Sequence, residues 1–252
     1  GMRLAGHVPA EVGLARALAA GYWSIDHLDG YAEAMVPEGT TGGGGFFGLS
    51  LARNLDEARI DSLAKETRAA GVWNVPTEVL IDNIVAGEEP DVMAQWPEMR
   101  YVSPRTVEGW TDRTNRQRDA VALEARWRFV SIRHQLIKAL YDAGAGVVLG
   151  SDAPQVWNVP GFSAHRELAL MVDAGLTPYQ AMEIATSNVA RFLDAQDESG
   201  TIAVGKRADL ILLDANPLAD ITATSRRAGV MLRGRWLSRA EIEERLAQFA
   251  NP

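Results

Sequence analysis

Short runs of apolar and β-branched residues alternate with longer segments of helical spacing along the first 200 residues of the chain. The apolar runs predict strands at residues 3–8, 22–27, 72–76 and 147–149. The intervening segments predict helices over residues 11–20, 55–70 and about 115–142. Strands that alternate with helices pair in parallel, so the pattern predicts an α/β fold built on a parallel sheet.

Two segments interrupt this alternation. Residues 35–50 contain four consecutive glycines, 42–45, which cannot hold regular structure. We expect either a loop or lid beside an active site or a plain linker. A phosphate-binding loop is disfavoured because no Lys-Ser or Lys-Thr pair follows the glycines. The second interruption is a polar, proline-containing insertion over residues 83–113, ahead of the long predicted helix.

The pattern changes near Gly200. Before this residue, helices are predicted over residues 163–174 and from Pro178 to about residue 193. Beyond it, short β segments are predicted at residues 201–204, 209–213 and 230–236, followed by an amphipathic helix at 238–249. We therefore divide the chain into a first unit, residues 1–200, and a small β element with a C-terminal helix, residues 201–252.

Composition narrows the classes of function. With 47% hydrophobic and 23% charged residues, the chain can bury the core of one large or two modest domains. A net charge of -8 with dispersed basic residues argues against nucleic acid or an anionic membrane, and a small-molecule substrate is the expected partner. The lack of cysteine excludes disulfides, thiolate metal sites and a cysteine nucleophile.

Localisation is constrained only by what the sequence lacks. No stretch approaches the roughly 20 apolar residues of a membrane span, so we expect a cytoplasmic protein. An upstream targeting signal stays open, because Gly1 before Met2 resembles the remnant of a cleaved tag.

Three candidate metal ligands stand at or just beyond the ends of predicted strands: His7, His27 and Asp152. In a parallel barrel the C-terminal ends of all strands open on one face, so these side chains are expected to converge. Imidazole nitrogens and carboxylate oxygens are suitable ligands for zinc and other divalent metals. A single histidine is more often a capping or packing residue, and it is the combination that predicts a functional site.

The motifs around these residues resemble the amidohydrolase superfamily, in particular its imidazolonepropionase-like and prolidase-like members. His7 lies in Gly-His-Val and matches the histidine of the family's fifth strand, whereas His27 ends Ser-Ile-Asp-His and matches that of the sixth. Asp152 lies in Leu-Gly-Ser-Asp-Ala-Pro and matches the eighth-strand aspartate. Residues 167–186 are similar to the segment after that strand. Residues 200–218, with Val-Gly-Lys-Arg-Ala-Asp-Leu, are similar to the family's tail.

The resemblance implies the C-terminal half of a (β/α)8-barrel hydrolase, with strands equivalent to the fifth to eighth. It implies His7, His27 and Asp152 as ligands of a divalent metal, most readily zinc. Asp152 would also take the proton of a metal-activated water that attacks an amide-type C–N bond. The family's first-strand His-x-His pair and fourth-strand lysine have no counterpart upstream of His7. We therefore expect weak metal binding and impaired activity.

Three interpretations remain open. The leading one is hydrolysis of a dipeptide or cyclic amide, the second is a mononuclear deaminase of the same superfamily, and the third is a catalytically silent remnant that self-associates. Half a barrel leaves sheet edges and apolar interior uncovered, which predicts a homodimer. His165, just after the predicted eighth strand, is a candidate substrate contact or a packing residue at a helix start.

Overall fold

The computed structural model describes residues 2–37, 40 and 44–250. Its larger sheet is parallel, with neighbouring strands following the order of the chain. The predicted α/β class with a parallel sheet is confirmed, although the strands are shorter than predicted. The strands of this sheet are β1 (Ala5–Gly6), β2 (Ser24–Asp26), β3 (Trp73–Val75) and β4 (Gly146–Val147).

Helices cover this sheet and pack on one another. The longest, α7, packs along α3 through buried residues such as Leu63 and Ile137, and burying each such side chain stabilises the fold by about 1.5–3 kcal/mol. None of the helices in the described ranges has the length and apolar character of a membrane span. The α-helices are α1 (Gly13–Ala19), α2 (Tyr31–Ala34), α3 (Ile60–Ala70), α4 (Glu78–Val85), α5 (Pro90–Met93), α6 (Pro104–Asp119), α7 (Leu123–Asp142), α8 (Phe162–Asp173), α9 (Pro178–Ala185), α10 (Ser187–Phe192) and α11 (Arg239–Ala247).

Two predicted helices are each interrupted. The helix predicted over residues 115–142 is two helices, because Ala122 is extended (ψ 142°) and the chain turns between α6 and α7. Helix α6 begins inside the predicted insertion, where the Ser103 hydroxyl accepts a hydrogen bond from the Thr106 amide. The helix predicted from Pro178 breaks at Thr186, whose φ and ψ are -130° and -82°.

The C-terminal part contains an antiparallel sheet in the order β5-β6-β7. The segment predicted as one strand over residues 230–236 is a hairpin, because Arg233 and Gly234 have φ of +50° and +80° and turn the chain. The prediction of a strand at residues 201–204 is wrong. The division of the chain at residue 200 stays a proposal. These strands are β5 (Leu210–Leu213), β6 (Arg227–Leu232) and β7 (Arg235–Ser238).

Helix α4, which follows β3, is held at both ends by side chains from other helices. Glu167 of α8 accepts hydrogen bonds from the backbone nitrogens of Glu78 (3.0 Å) and Val79 (2.6 Å) at its N-terminus. Arg118 of α6 donates to the carbonyl of Asn83 (2.9 Å) near its C-terminus. These groups satisfy backbone donors and acceptors that a helix leaves unpaired at its ends. Helices α6 and α8 therefore fix α4, and with it the end of β3.

Glu167 is expected to make the stability of the protein fall as the pH rises. Burial raises the pKa of Glu167 to about 8 from 4.5, against the opposing effect of its backbone hydrogen bonds. Between these values the folded state keeps a proton that the unfolded state has lost. Rising pH therefore favours unfolding, by an amount on the order of a few kcal/mol. Glu167→Gln should flatten this dependence in urea titrations run across that interval. The exposed Glu108→Gln is the control, and an unchanged slope in Glu167→Gln would contradict the assignment.

Candidate active site

The ends of three strands bring His7, His27 and Asp152 together. His7 follows β1 directly, His27 follows β2 directly, and Asp152 lies in the loop after β4. The two imidazole rings stack with their centroids 4.6 Å apart. Nε2 of His27 lies 3.9 Å from Oδ2 of Asp152. All three side chains thus lie at the same end of the parallel sheet.

His7 is held by a carboxylate that sequence reasoning missed. Its side chain is 65% exposed, and its Nδ1 lies 2.6 Å from Oδ2 of Asp29. The same oxygen accepts a hydrogen bond from the backbone nitrogen of Val8 at 3.3 Å. A carboxylate only accepts hydrogen bonds, so neutral His7 carries its proton on Nδ1 and leaves the lone pair of Nε2 available.

His27 is buried and is oriented by a hydroxyl group. Its Nδ1 lies 2.6 Å from Oγ1 of Thr77, and that hydroxyl donates to the carbonyl of Pro76 at 2.7 Å. Thr77 therefore accepts the hydrogen of His27 Nδ1, and Nε2 is the nitrogen with the free lone pair. Burial lowers the pKa of His27 to about 4, with further lowering by His7 and Arg133, so the ring is neutral at physiological pH.

The backbone at this end of the sheet is strained at three positions. His27, Thr77 and Asp152 have φ of +59°, +51° and +53°. This left-handed region is unfavourable for residues with a Cβ, and more so for a β-branched residue such as Thr77. Residues held in such conformations cluster at functional sites, where the surrounding structure maintains them. At Thr77 the hydrogen bond to His27 is one such restraint.

Asp152 lies among other carboxylates. Gln155 donates a hydrogen bond to its Oδ2. Burial raises the pKa of Asp152, against the opposing effects of Gln155 and His7. Asp26, the last residue of β2, also has its pKa raised by burial, with a further rise from Asp29 and Asp152. This concentration of carboxylates favours the binding of a cation.

Phe47 covers the two histidines. Its ring centroid lies 4.8 Å from that of His27 and 6.2 Å from that of His7. It belongs to a 3-10 segment, Phe46–Asn54, at the end of the glycine-rich loop. Gly48 (φ +91°) permits this path, because a Cβ there would lie 2.2 Å from that of Ala32. The described end of the loop thus lies beside the site, whereas Gly42 and Gly43 lie outside the described residues.

Buried Arg133 of α7 ties together the backbone of the site. Its Nη1 donates to the carbonyl of His27 (2.8 Å), its Nη2 to that of Pro76 (3.2 Å), and its Nε to Oε2 of Glu78 (2.9 Å). Glu78 is completely buried. The guanidinium therefore fixes the ends of β2 and β3 relative to each other. No motif in the sequence marked Arg133, which lies in a helix predicted only to pack.

A cavity of about 370 Å³ adjoins the site. Its lining includes Asp29, Phe47 and Gln155, which contact the candidate residues described above. This volume is at the lower end of the range of small-molecule sites. The three candidate residues themselves line neither this cavity nor a larger one of about 910 Å³ between α3 and α7, and the larger cavity also lacks the residues that contact them. The smaller cavity is therefore the one in which a bound ligand would lie beside the candidate residues.

His165 contacts the C-terminal part of the chain. Its Nδ1 lies 3.1 Å from Oγ1 of Thr224, and its Nε2 lies 3.4 Å from Nη1 of Arg227. Its role as a substrate contact stays a prediction. Within residues 2–37, 40 and 44–250, no group of three or more His, Cys, Asp or Glu side chains is placed closely enough to hold a metal ion. Metal binding by the predicted ligands accordingly stays a prediction as well.

A family model and several relatives of known name match parts of this chain. The model of the amidohydrolase family matches residues 13–237. An imidazolonepropionase of Rubrobacter xylanophilus is 37% identical over 101 residues, 38% of this chain and 23% of the relative. A 5-methylthioadenosine/S-adenosylhomocysteine deaminase of Moorella thermoacetica is 35% identical over 85 residues, 31% of this chain and 20% of the relative.

A putative prolidase from Bifidobacterium longum has a similar structure. It aligns with a TM-score of 0.60 and 25% identity, over 99% of this chain and 51% of the prolidase chain. The present chain therefore spans about half the length of that structure.

Proposed function

The chain belongs to the amidohydrolase family, and we propose that it hydrolyses an amide-type carbon–nitrogen bond of a small molecule with a divalent metal ion, zinc foremost. We propose His7, His27 and Asp152 as the metal ligands and Asp152 as the proton acceptor. The barrel strands equivalent to the fifth to eighth would carry these residues. Dipeptides and cyclic amides are the substrates that fit this proposal, since the names of the related proteins include imidazolonepropionase and prolidase.

The hydrogen bonds of the two histidines are the main observation that supports a metal site. Each imidazole is engaged through Nδ1, His7 with Asp29 and His27 with Thr77, and each keeps its Nε2 lone pair. Metal-binding histidines are oriented in this way by a partner on the other ring nitrogen. Two ligands of a tetrahedral zinc ion lie about 3.4 Å apart, and the 3.9 Å between His27 Nε2 and Asp152 Oδ2 approaches that separation. The type and orientation of these donors therefore suit a divalent metal, and binding one would require the three side chains to move closer together than they lie in the described residues.

We assign a different role in the reaction to each residue of the site. When bound, a divalent metal polarises a carbonyl group and lowers the pKa of water to about 7. Asp152 accepts the proton of the attacking water and delivers it to the leaving nitrogen. Gln155 holds one oxygen of this carboxylate and so fixes its orientation. Phe47 lies against both imidazoles, of which His27 is buried and His7 stays exposed.

Deamination is the second candidate function. The observation that favours it is the 35% identity to a nucleoside-type deaminase over 85 residues. The same residues would then act at a ring carbon that carries an amino group. Incubation with dipeptides, cyclic amides and aminopurines in the presence of Zn²⁺ separates the two functions, because deamination releases ammonia and hydrolysis of the other substrates releases a new amine and carboxylate. Turnover of none of these compounds would count against both.

Zinc binding is expected to be weak and to depend on both histidines. In calorimetric titrations the His7→Ala, His27→Ala double variant should lose about 100-fold or more of the affinity, because two of three ligands are removed. His165→Ala is the matched control, since this histidine contacts Thr224 and Arg227 instead. An unchanged isotherm in the double variant would place the metal elsewhere in the protein.

A further inference from the structure

The cavity beside the site is lined by one basic side chain with no partner in the described ranges. Arg113 lies exposed on α6 and makes no hydrogen bond or ion pair with another described residue. On the same helix, Arg118 is buried and donates to the backbone at the end of α4. Arg105 and Arg116 are exposed and do not line the cavity. Arg113 is thus the arginine of α6 whose charge is available to a ligand in this cavity.

The other residues that line the cavity limit the kinds of ligand that it can bind. Asp29 is engaged by His7, so its charge is partly compensated. Glu33 also lines the cavity and has no ion pair with a described residue, so it disfavours an anion that is not paired with a cation. Val8 and Phe46 add an apolar surface. The cavity therefore combines apolar contact with a single position for an anion, at Arg113.

We propose that Arg113 determines substrate specificity by binding a carboxylate of the substrate. The planar guanidinium matches a carboxylate through paired hydrogen bonds. A ligand that fills the cavity reaches both Arg113 and Gln155, the residue that holds Asp152. The substrate class is therefore an N-acyl amino acid or a short peptide with a free carboxylate beside an apolar side chain. This inference rests on the proposed function, because it assigns the reacting bond to the site at Asp152.

The test compares two probes that differ in one group. N-acetyl-leucine carries a carboxylate where N-acetyl-leucinamide carries a neutral amide. Calorimetry at millimolar probe, with and without added Zn²⁺, should show about tenfold tighter binding of the carboxylate, as expected for a hydrogen-bonded charge pair. Arg113→Gln should remove this preference and retain the affinity for the amide. Arg116→Gln has the same net charge as Arg113→Gln and should retain the preference.

Three results would overturn the assignment: equal binding of the two probes, no binding of N-acetyl-leucine, or a preference that survives in Arg113→Gln. The last would place the carboxylate on the metal or on another cation. The proposed hydrolytic function is tested by different outcomes from those that test Arg113. A preference that depends on Arg113 without turnover of any amide supports the binding site and counts against hydrolysis. Turnover of amides without a carboxylate preference supports hydrolysis and refutes the role of Arg113.

Discussion

Asp152→Asn is expected to lower kcat by about 10²–10⁴-fold on the substrate that the wild-type protein hydrolyses fastest. The substitution keeps the size of the side chain and removes its ability to accept a proton. The asparagine oxygen can still accept the hydrogen bond from Gln155. The side chain is only one-third exposed, and a change that leaves its packing intact should have little effect on thermal unfolding.

Steady-state kinetics and zinc content of the same preparations check this expectation. Asp112→Asn is the matched control, because Asp112 is exposed on α6 and does not line the cavity. A kcat close to that of the wild type would assign proton transfer to another group. Loss of bound zinc together with kcat would show that ligation, rather than proton transfer, dominates the effect.

Arg133→Met is expected to cost about 3–5 kcal/mol of unfolding free energy, the largest stability effect that we predict. It leaves Glu78 buried without its charge partner and removes the donors to the carbonyls of His27 and Pro76. Urea titrations measure this loss. Removing both charges in Glu78→Gln, Arg133→Met should be milder than Arg133→Met alone, because no buried charge is then left unpaired. Equal losses in the single and double variants would contradict a coupled pair.

Much of the fold can be predicted from the spacing of apolar residues along the sequence. Apolar runs such as those around Ile25 and Val147 form buried parallel strands because their faces contact helices on one side and neighbouring strands at the edges. Helix ends were harder to predict. The extended Ala122 has no proline or glycine near it, so no local signal in the sequence marks the turn that follows α6. The expectation of a homodimer concerns a second copy of the chain and stays a prediction.

The candidate site was only partly visible in the sequence. Strand-end position identified His7, His27 and Asp152, and parallel pairing explains why they meet. Asp29 and Thr77 could not be identified in that way. Asp29 contributes through a hydrogen bond to His7, and Thr77 through a hydrogen bond to His27, and in each pair the two residues lie far apart in the chain. Arg113 lies in the insertion, where neither periodicity nor the family resemblance assigns a role. Such residues are recognised only when the packing of α6 is known.

The left-handed backbone at the ends of the strands lowers the stability of the fold at positions whose side chains are proposed to bind the metal. Such a conformation costs roughly 1–2 kcal/mol for a residue that has a Cβ, and glycine avoids this cost. At position 152, where the side chain is one-third exposed, glycine would relieve the strain and delete a proposed metal ligand in the same step. A library selected for heat resistance alone should therefore accumulate glycine at this position and lose turnover. Improvement of this protein as a catalyst would require both properties to be selected together.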